Sequence, residues 1–360
     1  MNKPIGSLKN NHLSLSEFSQ LSHERERHVL GAICYVAASP TRLLAGIVDA
    51  PLIRVAMPPI GETQCGLSGH ADKLSVPTDS VCDVWFSASD LAQGQCGDIR
   101  YRHDGNTLFG AIELAESERA PDAASSPLQH ATERAYRQIF ELLEALDYPF
   151  IFRLWNYMAD INGHSHELER YRQFNLGRQD AFIACRRDVV GNVPAACALG
   201  AAGGPLTIAF MAGKKSPLAI ENPRQISAYD YPQDYGPRSP TFSRASLVRM
   251  DADEVLLISG TASIVGHCTM HPGDVQEQTR ETLRNIEAVI QAANLQSGRA
   301  QFSLNTMSYR VYVRHSADQT AIREVMRTWI GASFDAVFLQ ADVCRRDLLI
   351  EIEASASLPA

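Results

Sequence analysis

Two glutamates near the C-terminus, Glu351 and Glu353, alternate with aliphatic residues in the stretch ADVCRRDLLIEIEA. Because successive side chains of a strand point to opposite faces, this alternation places both carboxylates on one face. Cys344 and two arginines, Arg345 and Arg346, precede them. If this face borders a cleft, a carboxylic acid lies beside cationic anchors, an arrangement suited to proton transfer on an anionic substrate. An edge strand with a solvated polar face would show the same alternation.

The composition is that of an ordinary globular protein. The chain has 360 residues, of which 45% are hydrophobic, and this is enough for two core-forming domains. Its formal net charge of −8 gives no overall attraction to nucleic acid or to an anionic membrane. The N-terminal stretch lacks the apolar segment of a secretory signal, and no apolar run is long enough to span a bilayer. We therefore expect a cytoplasmic protein that binds neither nucleic acid nor membrane.

The cysteines and histidines offer no metal-binding pattern. The eight cysteines are scattered without a CxxC pair: Cys34, Cys65, Cys82, Cys96, Cys185, Cys197, Cys268 and Cys344. This spacing predicts reduced thiols rather than a disulfide framework or a zinc site. His164 and His166 are too close for a helical metal pair, and the glycines of 198–206 do not fit a nucleotide-binding loop. We expect no metal and no organic cofactor.

Strand and helix patterns occur twice in the same order. In the first half they cover a strand at 107–115, a helix at 128–148, a strand at 150–162, a helix at 166–182 and two strands about a Gly-Gly turn within 193–213. In the second half they cover a strand at 255–266, a helix at 274–294, a strand at 307–318, a helix at 319–331 and strands at 336–343 and 347–355. The repeated order predicts an internal duplication of an α+β unit, with helices packed on one face of each mixed sheet.

The predicted domain boundaries follow from this order. Residues 1–27 are polar and predict a flexible N-terminal arm, residues 28–215 a first domain, and residues 244–360 a second. The connecting segment 216–243 is rich in proline and tyrosine and has no regular pattern. A loop of this length and aromatic content is more often functional than idle.

Long motifs carry a resemblance to known families. The second half resembles the RidA/YjgF family, whose trimers have clefts between subunits, in ISGTASIVG (258–266), GDVQEQTRETLRNIEAVI (273–290), YRVYVR (309–314) and LLIEIEA (348–354). Residues 140–355 resemble the chorismatase family more specifically, in RLWNYMADIN (153–162), ERYRQFNLGRQDAF (169–182), ENPRQISAYDYPQDYGPRSPTFSRA (221–245), SGTASIVGH (259–267) and CRRDLLIEIE (344–353). The first hundred residues carry little of it. The resemblance implies two tandem RidA/YjgF-like domains that border one pocket.

The resemblance also implies an activity. Chorismatases act on chorismate, a cyclohexadiene with a ring carboxylate and an enolpyruvyl ether, and release pyruvate. The matching position assigns the general acid to Glu351, which would protonate the enolpyruvyl methylene, with Glu353 as the alternative acid on the same face. Burial, or the charge of Glu353, would have to raise the pKa of Glu351 for this role. Cys344 matches the family members that form a hydroxybenzoate, since the hydrolytic members carry another residue there.

A dianionic substrate requires cationic groups, and arginine can bind each carboxylate through two N–H groups. The matched motifs favour the following binding residues: Arg178, Arg224, Tyr229 and Arg314. Weaker candidates are Arg345, Arg170 and Arg172, while Ala262 is expected to shape the pocket beside the ring. The expected product is 3-hydroxybenzoate, 4-hydroxybenzoate or both.

Two other functions stay open at this point. One is hydrolysis of the same ether to 3,4-dihydroxycyclohexa-1,5-dienoate and pyruvate. The other is a RidA-like enamine or imine deaminase, or a RidA-like binding module. RidA proteins usually carry an arginine where the alignment places Val343, which argues against this class. The sequence allows a monomer or a small homo-oligomer.

Overall fold

In a computed structural model, the described part of this chain forms three main sheets and four long helices. The structure describes residues 8–37, 50–65, 74–77, 80–116, 125–250, 253–299 and 301–359. The three sheets face one another around a shared apolar cluster that includes the paired tryptophans Trp85 and Trp155. Burial of this apolar surface is the main force that holds the sheets together.

The first sheet comes from the N-terminal part of the chain. Its elements are β1 (Leu8–Ser14), α1 (Leu15–Ser19), α2 (His23–Glu26), β2 (Val29–Val36), β3 (Leu52–Ala56) and β6 (Ser80–Ser87), with a separate hairpin of β4 (Glu62–Cys65) and β5 (Leu74–Pro77). The strand order is β1-β6-β2-β3, with β2 and β3 parallel.

Residues 8–27 differ from the predicted flexible arm. Strand β1 pairs with β6 along its whole length, and the two short helices follow it. The polar residues that suggested a solvated arm bind buried charges instead. Asn10 donates a hydrogen bond to Asp83, and Arg310 donates one to the Asn10 side chain. Composition cannot distinguish a polar segment in water from one that satisfies buried ions.

The second sheet carries helices on its outer face. Its strands are β7 (Ala92–Cys96), β8 (Ile99–His103), β9 (Thr107–Leu114), β10 (Phe150–Ala159), β13 (Ala195–Ala201) and β14 (Leu206–Gly213), and its helices are α3 (Pro127–Ala145) and α4 (Arg170–Ala184). A separate two-stranded ladder of β11 (His164–Ser165) and β12 (Leu168–Glu169) precedes α4. Helix α3 begins as predicted, because Ser126 caps its N-terminus and Pro127 occupies the first turn. The two strands expected about the Gly-Gly turn exist, but both pair with β10, which lies between them.

The third sheet repeats this arrangement. Its strands are β15 (Leu218–Ile220), β16 (Ala245–Arg249), β17 (Asp253–Thr261), β20 (Ser308–Val313), β21 (Asp335–Gln340) and β22 (Ile350–Pro359), and its helices are α5 (Val275–Gln296) and α6 (Gln319–Ile330). A separate two-stranded ladder of β18 (Ile264–Val265) and β19 (Cys268–Thr269) precedes α5. Helices α5 and α6 cover one face, and the other face joins the shared cluster. Mixed sheets with helices on one face confirm the predicted α+β class.

The three sheets share one strand arrangement. The orders β3-β2-β6-β1, β13-β10-β14-β9 and β21-β20-β22-β17 each start with a parallel pair and continue antiparallel. Equivalent positions on β2, β10 and β20 hold Tyr35, Tyr157 and Tyr312, whose hydroxyls meet at 2.9 and 3.3 Å at the centre. The first sheet is therefore a reduced third copy, with two short helices between β1 and β2 where the others have a long helix.

The cysteines depart from the predicted reduced state in one place. Cys34 on β2 faces Cys82 on β6, and the two form a disulfide across 48 residues of chain. The spacing of cysteines along the sequence could not show this pair, because strand register brings the two together. In the described part of the chain, five other cysteines are free and no cluster of metal-binding side chains occurs. No helix among these residues has the length and apolar character needed to cross a bilayer.

Candidate active site

A cavity of about 420 Å³ lies where the second and third sheets meet. Its walls come from the start of α4, the ends of β17 and β22, the segment 225–244 and the loop 341–349 between β21 and β22. Many of the lining side chains are polar or charged: Glu169, Arg172, Gln225, Asp234, Arg244, Thr269, Arg345, Arg346, Asp347 and Glu351. A concave site of this size and polarity suits a small polar ligand.

Glu351 lies in the wall of this cavity, although only 4% of its surface is exposed. Burial first, and then the charge of Glu353, raise the pKa of the Glu351 carboxyl to about 8, although Arg153 and the hydrogen bond from Cys344 act to lower it. At neutral pH the carboxyl therefore holds its proton. A protonated acid at the edge of a cavity can donate that proton to a bound ligand.

The Glu351 side chain occupies space that Gly260 leaves open. Strand β17 pairs with β22, and a Cβ atom at residue 260 would collide with Oε1 of Glu351. The same atom would approach the Cβ of Cys197 to 3.3 Å. The SGTASI motif thus contains a glycine because the acid passes close to the backbone there.

Cys344 is the nearest group on the other side of the acid. Its Sγ lies 3.9 Å from Oε2 of Glu351. Burial, followed by the negative charge of Glu351, raises the pKa of the Cys344 thiol to about 12. The thiol is therefore neutral at neutral pH and a weak nucleophile. Ala262, which also lines the cavity, packs in the same small apolar cluster as Cys344.

Two arginines that line the cavity keep N–H groups without a hydrogen-bond partner among the described residues. Arg244 is 5% exposed; its Nη2 donates to the Ile226 carbonyl at 2.7 Å and to the Tyr231 hydroxyl at 2.9 Å, while its Nε is buried without a hydrogen-bond partner among the described residues. Arg345 donates from Nη1 to the His267 carbonyl at 2.8 Å, and its buried Nη2 has no partner in the described chain. Unpaired buried N–H groups are costly, so both guanidiniums are suited to receive an anionic ligand.

Aromatic rings hold one of these arginines in place. The guanidinium of Arg345 lies 4.2 Å from the ring centre of Tyr235 and 5.2 Å from that of Tyr231. Both tyrosines belong to the connecting segment 216–243, where two short 3₁₀ turns, Ala228–Asp230 and Gln233–Tyr235, position them. The irregular segment thus supplies one wall of the cavity.

Two of the predicted binding arginines lie outside the cavity lining. Arg178 is buried in α4, where it donates to Asn175 at 2.9 Å and lies over the ring of Phe174. Arg224 forms an ion pair with Glu281 at 2.5 Å and donates to Asn285 at 2.6 Å, both on α5. Their charged groups contact other parts of the protein.

Arg314 has a different position from the one expected of a ligand-binding group. It donates to the carbonyls of Leu348, Val343 and Arg345 at 2.8, 3.0 and 2.9 Å and pairs with Asp342 at 2.6 Å. These contacts hold loop 341–349 in its conformation. Arg314 therefore lies behind the loop that carries Cys344 and Arg345.

The remaining predicted residues divide between the cavity and its surroundings. Arg345 and Ala262 line the cavity, and so does Arg172, which donates to the Asp234 carbonyl at 3.1 Å. Arg170 instead pairs with Glu116 at 2.5 Å, and Tyr229 is half-buried in a 3₁₀ turn outside the cavity lining.

Sequence reasoning missed Arg244, Tyr231, Tyr235 and Gly260. All four fall inside the motifs that carry the family resemblance, so a signal was present. No single-residue property separates Arg244 from the other arginines. Its role depends on the unpaired Nε and on the cavity around it, which only the fold shows.

Comparison with known proteins gives consistent matches over nearly the whole chain. The family model described as "Chorismatase FkbO/Hyg5-like, N-terminal" matches residues 83–212, and the model "Endoribonuclease L-PSP" matches residues 240–358. A 3-hydroxybenzoate synthase of Streptomyces hygroscopicus is 37% identical over 325 residues, which cover 82% of this chain and 92% of the relative. A chorismatase of Streptomyces rapamycinicus is 34% identical over 317 residues, covering 85% of this chain and 92% of its own.

The structural comparison agrees with these matches. A solved chorismatase structure is 29% identical and superposes with a TM-score of 0.83, covering 99% of this chain and 100% of that chain. The superposition includes the first sheet, which lies outside the sequence motifs that carry the family resemblance. These findings confirm the resemblance drawn from the motifs: the chain belongs to the chorismatase family.

Proposed function

We propose that this enzyme converts chorismate to 3-hydroxybenzoate and pyruvate. The observation that carries the proposal is a carboxyl, Glu351, that holds its proton at neutral pH inside a cavity with two incompletely paired guanidiniums. Chorismate carries two carboxylates and one acid-labile enol ether, and such a cavity is suited to both features. The relative named 3-hydroxybenzoate synthase supports this product over the 4-hydroxy isomer.

In this mechanism Glu351 protonates the methylene carbon of the enolpyruvyl group. The positive charge that develops is shared with the ether oxygen, and cleavage of the bond between this oxygen and the ring releases pyruvate. The hydroxyl on the neighbouring ring carbon attacks the ring carbon that carried the ether, and the loss of its proton restores the acid and leaves an epoxide. The epoxide opens at the carbon that carried the hydroxyl, the hydrogen on the other epoxide carbon leaves as a proton, and the oxygen takes up a proton, which gives 3-hydroxybenzoate. No water, metal or organic cofactor enters these steps.

Arg244 and Arg345 are the residues we propose for the two carboxylates. Each lines the cavity and keeps a buried N–H group without a hydrogen-bond partner in the described chain, and a carboxylate oxygen would satisfy it. In this proposal Arg314 and Arg224 do not contact the substrate. Arg314 holds loop 341–349, and Arg224 holds the segment that begins at residue 221.

Cys344 would favour aromatisation over hydrolysis. A neutral thiol 3.9 Å from the acid fills space beside the ring and offers only weak hydrogen bonds to a water molecule. Attack by the ring hydroxyl is then favoured over attack by water. Hydrolysis to the dihydroxycyclohexadienoate is the second candidate, and it differs only in this step.

The test is a product analysis of purified protein with chorismate, by chromatography of the ring product and parallel assay of pyruvate. We expect 3-hydroxybenzoate in a one-to-one ratio with pyruvate. A non-aromatic dihydroxy acid would replace the proposal by hydrolysis. Ligand binding without any turnover would favour a RidA-like binding module.

Assembly and location are part of the same proposal. Three related sheets enclose one core within a single chain, so we propose a monomer, which sedimentation analysis would test. We also propose a cytoplasmic location, as the scattered cysteines suggested. The Cys34–Cys82 disulfide is the observation against it, because such bonds are rare in the cytosol. Fractionation of producing cells would decide this question.

A further inference from the structure

A buried ion pair joins the second and third sheets directly behind the cavity. Nη2 of Arg153, on β10, lies 3.0 Å from Oε2 of Glu353, on β22, and each residue is 1% exposed. Glu353 also accepts hydrogen bonds from Trp155 Nε1 and from the Tyr312 hydroxyl, both at 3.2 Å. Both Glu353 oxygens therefore have donors, as a buried carboxylate requires.

This pair is a close neighbour of the acid. Glu353 follows Glu351 by two residues on the same strand, so both side chains lie on one face. Cys197, on β13, lies near both of them: its thiol donates to Glu353, and its Cβ lies beside the space at Gly260 that Glu351 fills. The carboxylate of the pair, rather than its guanidinium, has the larger effect on Glu351.

The other charged and titratable groups around Glu351 come from every element packed against it. They are Tyr171 and Arg172 at the start of α4, Arg244 near β16, Cys344 and Arg345 in loop 341–349, and on β20 Tyr312 opposite Glu351 and Arg310 opposite Glu353. Arg172, Arg244 and Arg345 line the cavity, where a bound anion would neutralise them, whereas Arg310 is paired with Asp83. The ion pair lies away from the cavity and keeps its charges whether or not a ligand is bound.

We propose that Arg153 and Glu353 form a positioning pair that keeps Glu351 in its acid form for each turnover. This inference rests on the proposed function of Glu351 as the proton donor. Two carboxyls that share one poorly solvated region cannot both be ionised at low cost. Arg153 stabilises the charge on Glu353, and the proton is therefore left on Glu351.

Substitutions of Glu353 and of Arg153 should shift the alkaline limb of the kcat/KM pH profile in opposite directions. In Glu353→Gln the repulsion is lost and Arg153 faces Glu351 alone, so the alkaline limb of the kcat/KM profile moves to lower pH, by about one unit. In Arg153→Met the cation that lowers the pKa of Glu351 is lost, so the limb moves to higher pH. A purely structural role would lower activity in both variants and leave the limb in place.

The double variant Glu353→Gln/Arg153→Met should still fold, since replacing a buried pair by neutral groups of similar size often preserves stability. In the double variant the alkaline limb should lie at lower pH than in the wild type, because Glu353 affects the pKa of Glu351 more than Arg153 does. Glu254→Gln is the control: it breaks the Arg249–Glu254 pair on the third sheet, where Glu254 lies opposite Leu358 at the far end of β22, and should leave the limb unchanged.

A second readout separates this inference from the proposed function. The infrared carbonyl band of protonated Glu351, identified by subtracting the spectrum of Glu351→Gln, can be titrated without turnover. Absence of chorismate turnover in the wild type would overturn the proposed function alone. A Glu351 titration that Glu353→Gln leaves unchanged, or limbs that move in the same direction in both single variants, would overturn the positioning pair.

Discussion

Two clefts of the molecule are built from corresponding strand ends. The cavity described above lies between the second and third sheets, and a smaller one of about 200 Å³ lies between the first and second. In the first cleft Glu351 pairs across the strands with Tyr312, while in the second Thr207 pairs with the equivalent Tyr157. The second cleft does contain a carboxylate, Glu113, but it is exposed.

The loops after the parallel strands differ as well. In the first cleft, loop 341–349 brings Cys344 and Arg345 to the acid. In the second cleft, the short turn 202–205 offers mainly Gly203 and Gly204. The common sheet therefore sets the position of both clefts. Their chemistry differs because the first cleft has a buried carboxyl and a longer loop.

Glu351→Gln should have the largest effect of any single change in the first cleft. We expect kcat to fall by about 10²–10⁴, because a positioned general acid contributes a factor of this order. Steady-state formation of pyruvate measures it. The matched control is Thr207→Val at the corresponding position of the second cleft, which should keep wild-type kinetics. A Glu351→Gln variant with the wild-type rate would show that the buried carboxyl of the first cleft is not the general acid.

The glycine beside the acid gives a second comparison. Gly260→Ala places a methyl group against Oε1 of Glu351 and should lower kcat by about 100-fold, since a small displacement of a catalytic group has large effects. Gly203→Ala in the second cleft is its control, because no atom of the described residues lies within 4 Å of the added group. Circular dichroism would establish that both variants fold. Equal activities in the two variants would contradict the steric role of Gly260.

Arg345→Met should weaken substrate binding more than catalysis. Loss of a charge-assisted hydrogen bond to a carboxylate predicts a KM about 10-fold higher. Arg280→Met, which removes an arginine paired with Glu277 at the start of α5, should leave KM unchanged. If the Arg345 variant kept its KM, Arg244 and the helix arginines would become the better candidates for binding.

Cys344→Ala should have the smallest effect on total rate, and its effect should fall on the products. With the thiol removed, water can approach the ring, and we expect part of the product to be the non-aromatic dihydroxy acid. Chromatography of the ring products measures the ratio. Cys268→Ala, which changes another thiol of the cavity lining, should yield hydroxybenzoate alone. A product ratio that Cys344→Ala leaves unaltered would remove the steering role.

The parts of the site that the sequence could predict lie close together along the chain. Glu351, Cys344 and Arg345 occupy one loop and the strand after it, so a local pattern and the family motif identify them together. Helices such as α3 and α5 could be predicted equally well, because their apolar spacing and caps are local features of the sequence.

The parts that could not be predicted depend on contacts between distant segments. The sequence does not show whether an arginine is already bound by the protein, as Arg224 and Arg314 are, or retains an unpaired N–H group, as Arg244 does. Nor does it show that β1 binds buried charges of the third sheet. The Cys34–Cys82 pair has the same origin, because only strand register brings those residues together.

The most direct test of the account is a titration of Glu351 itself. Infrared difference spectra of the wild type against Glu351→Gln should show the carbonyl band of a protonated acid at pH 7, which disappears with a pKa of about 8. Because the acid form is the active one, kcat/KM should fall as the pH rises through the same value. A Glu351 that is already ionised at pH 6 would contradict the claim that this cleft holds a neutral acid ready to protonate its substrate.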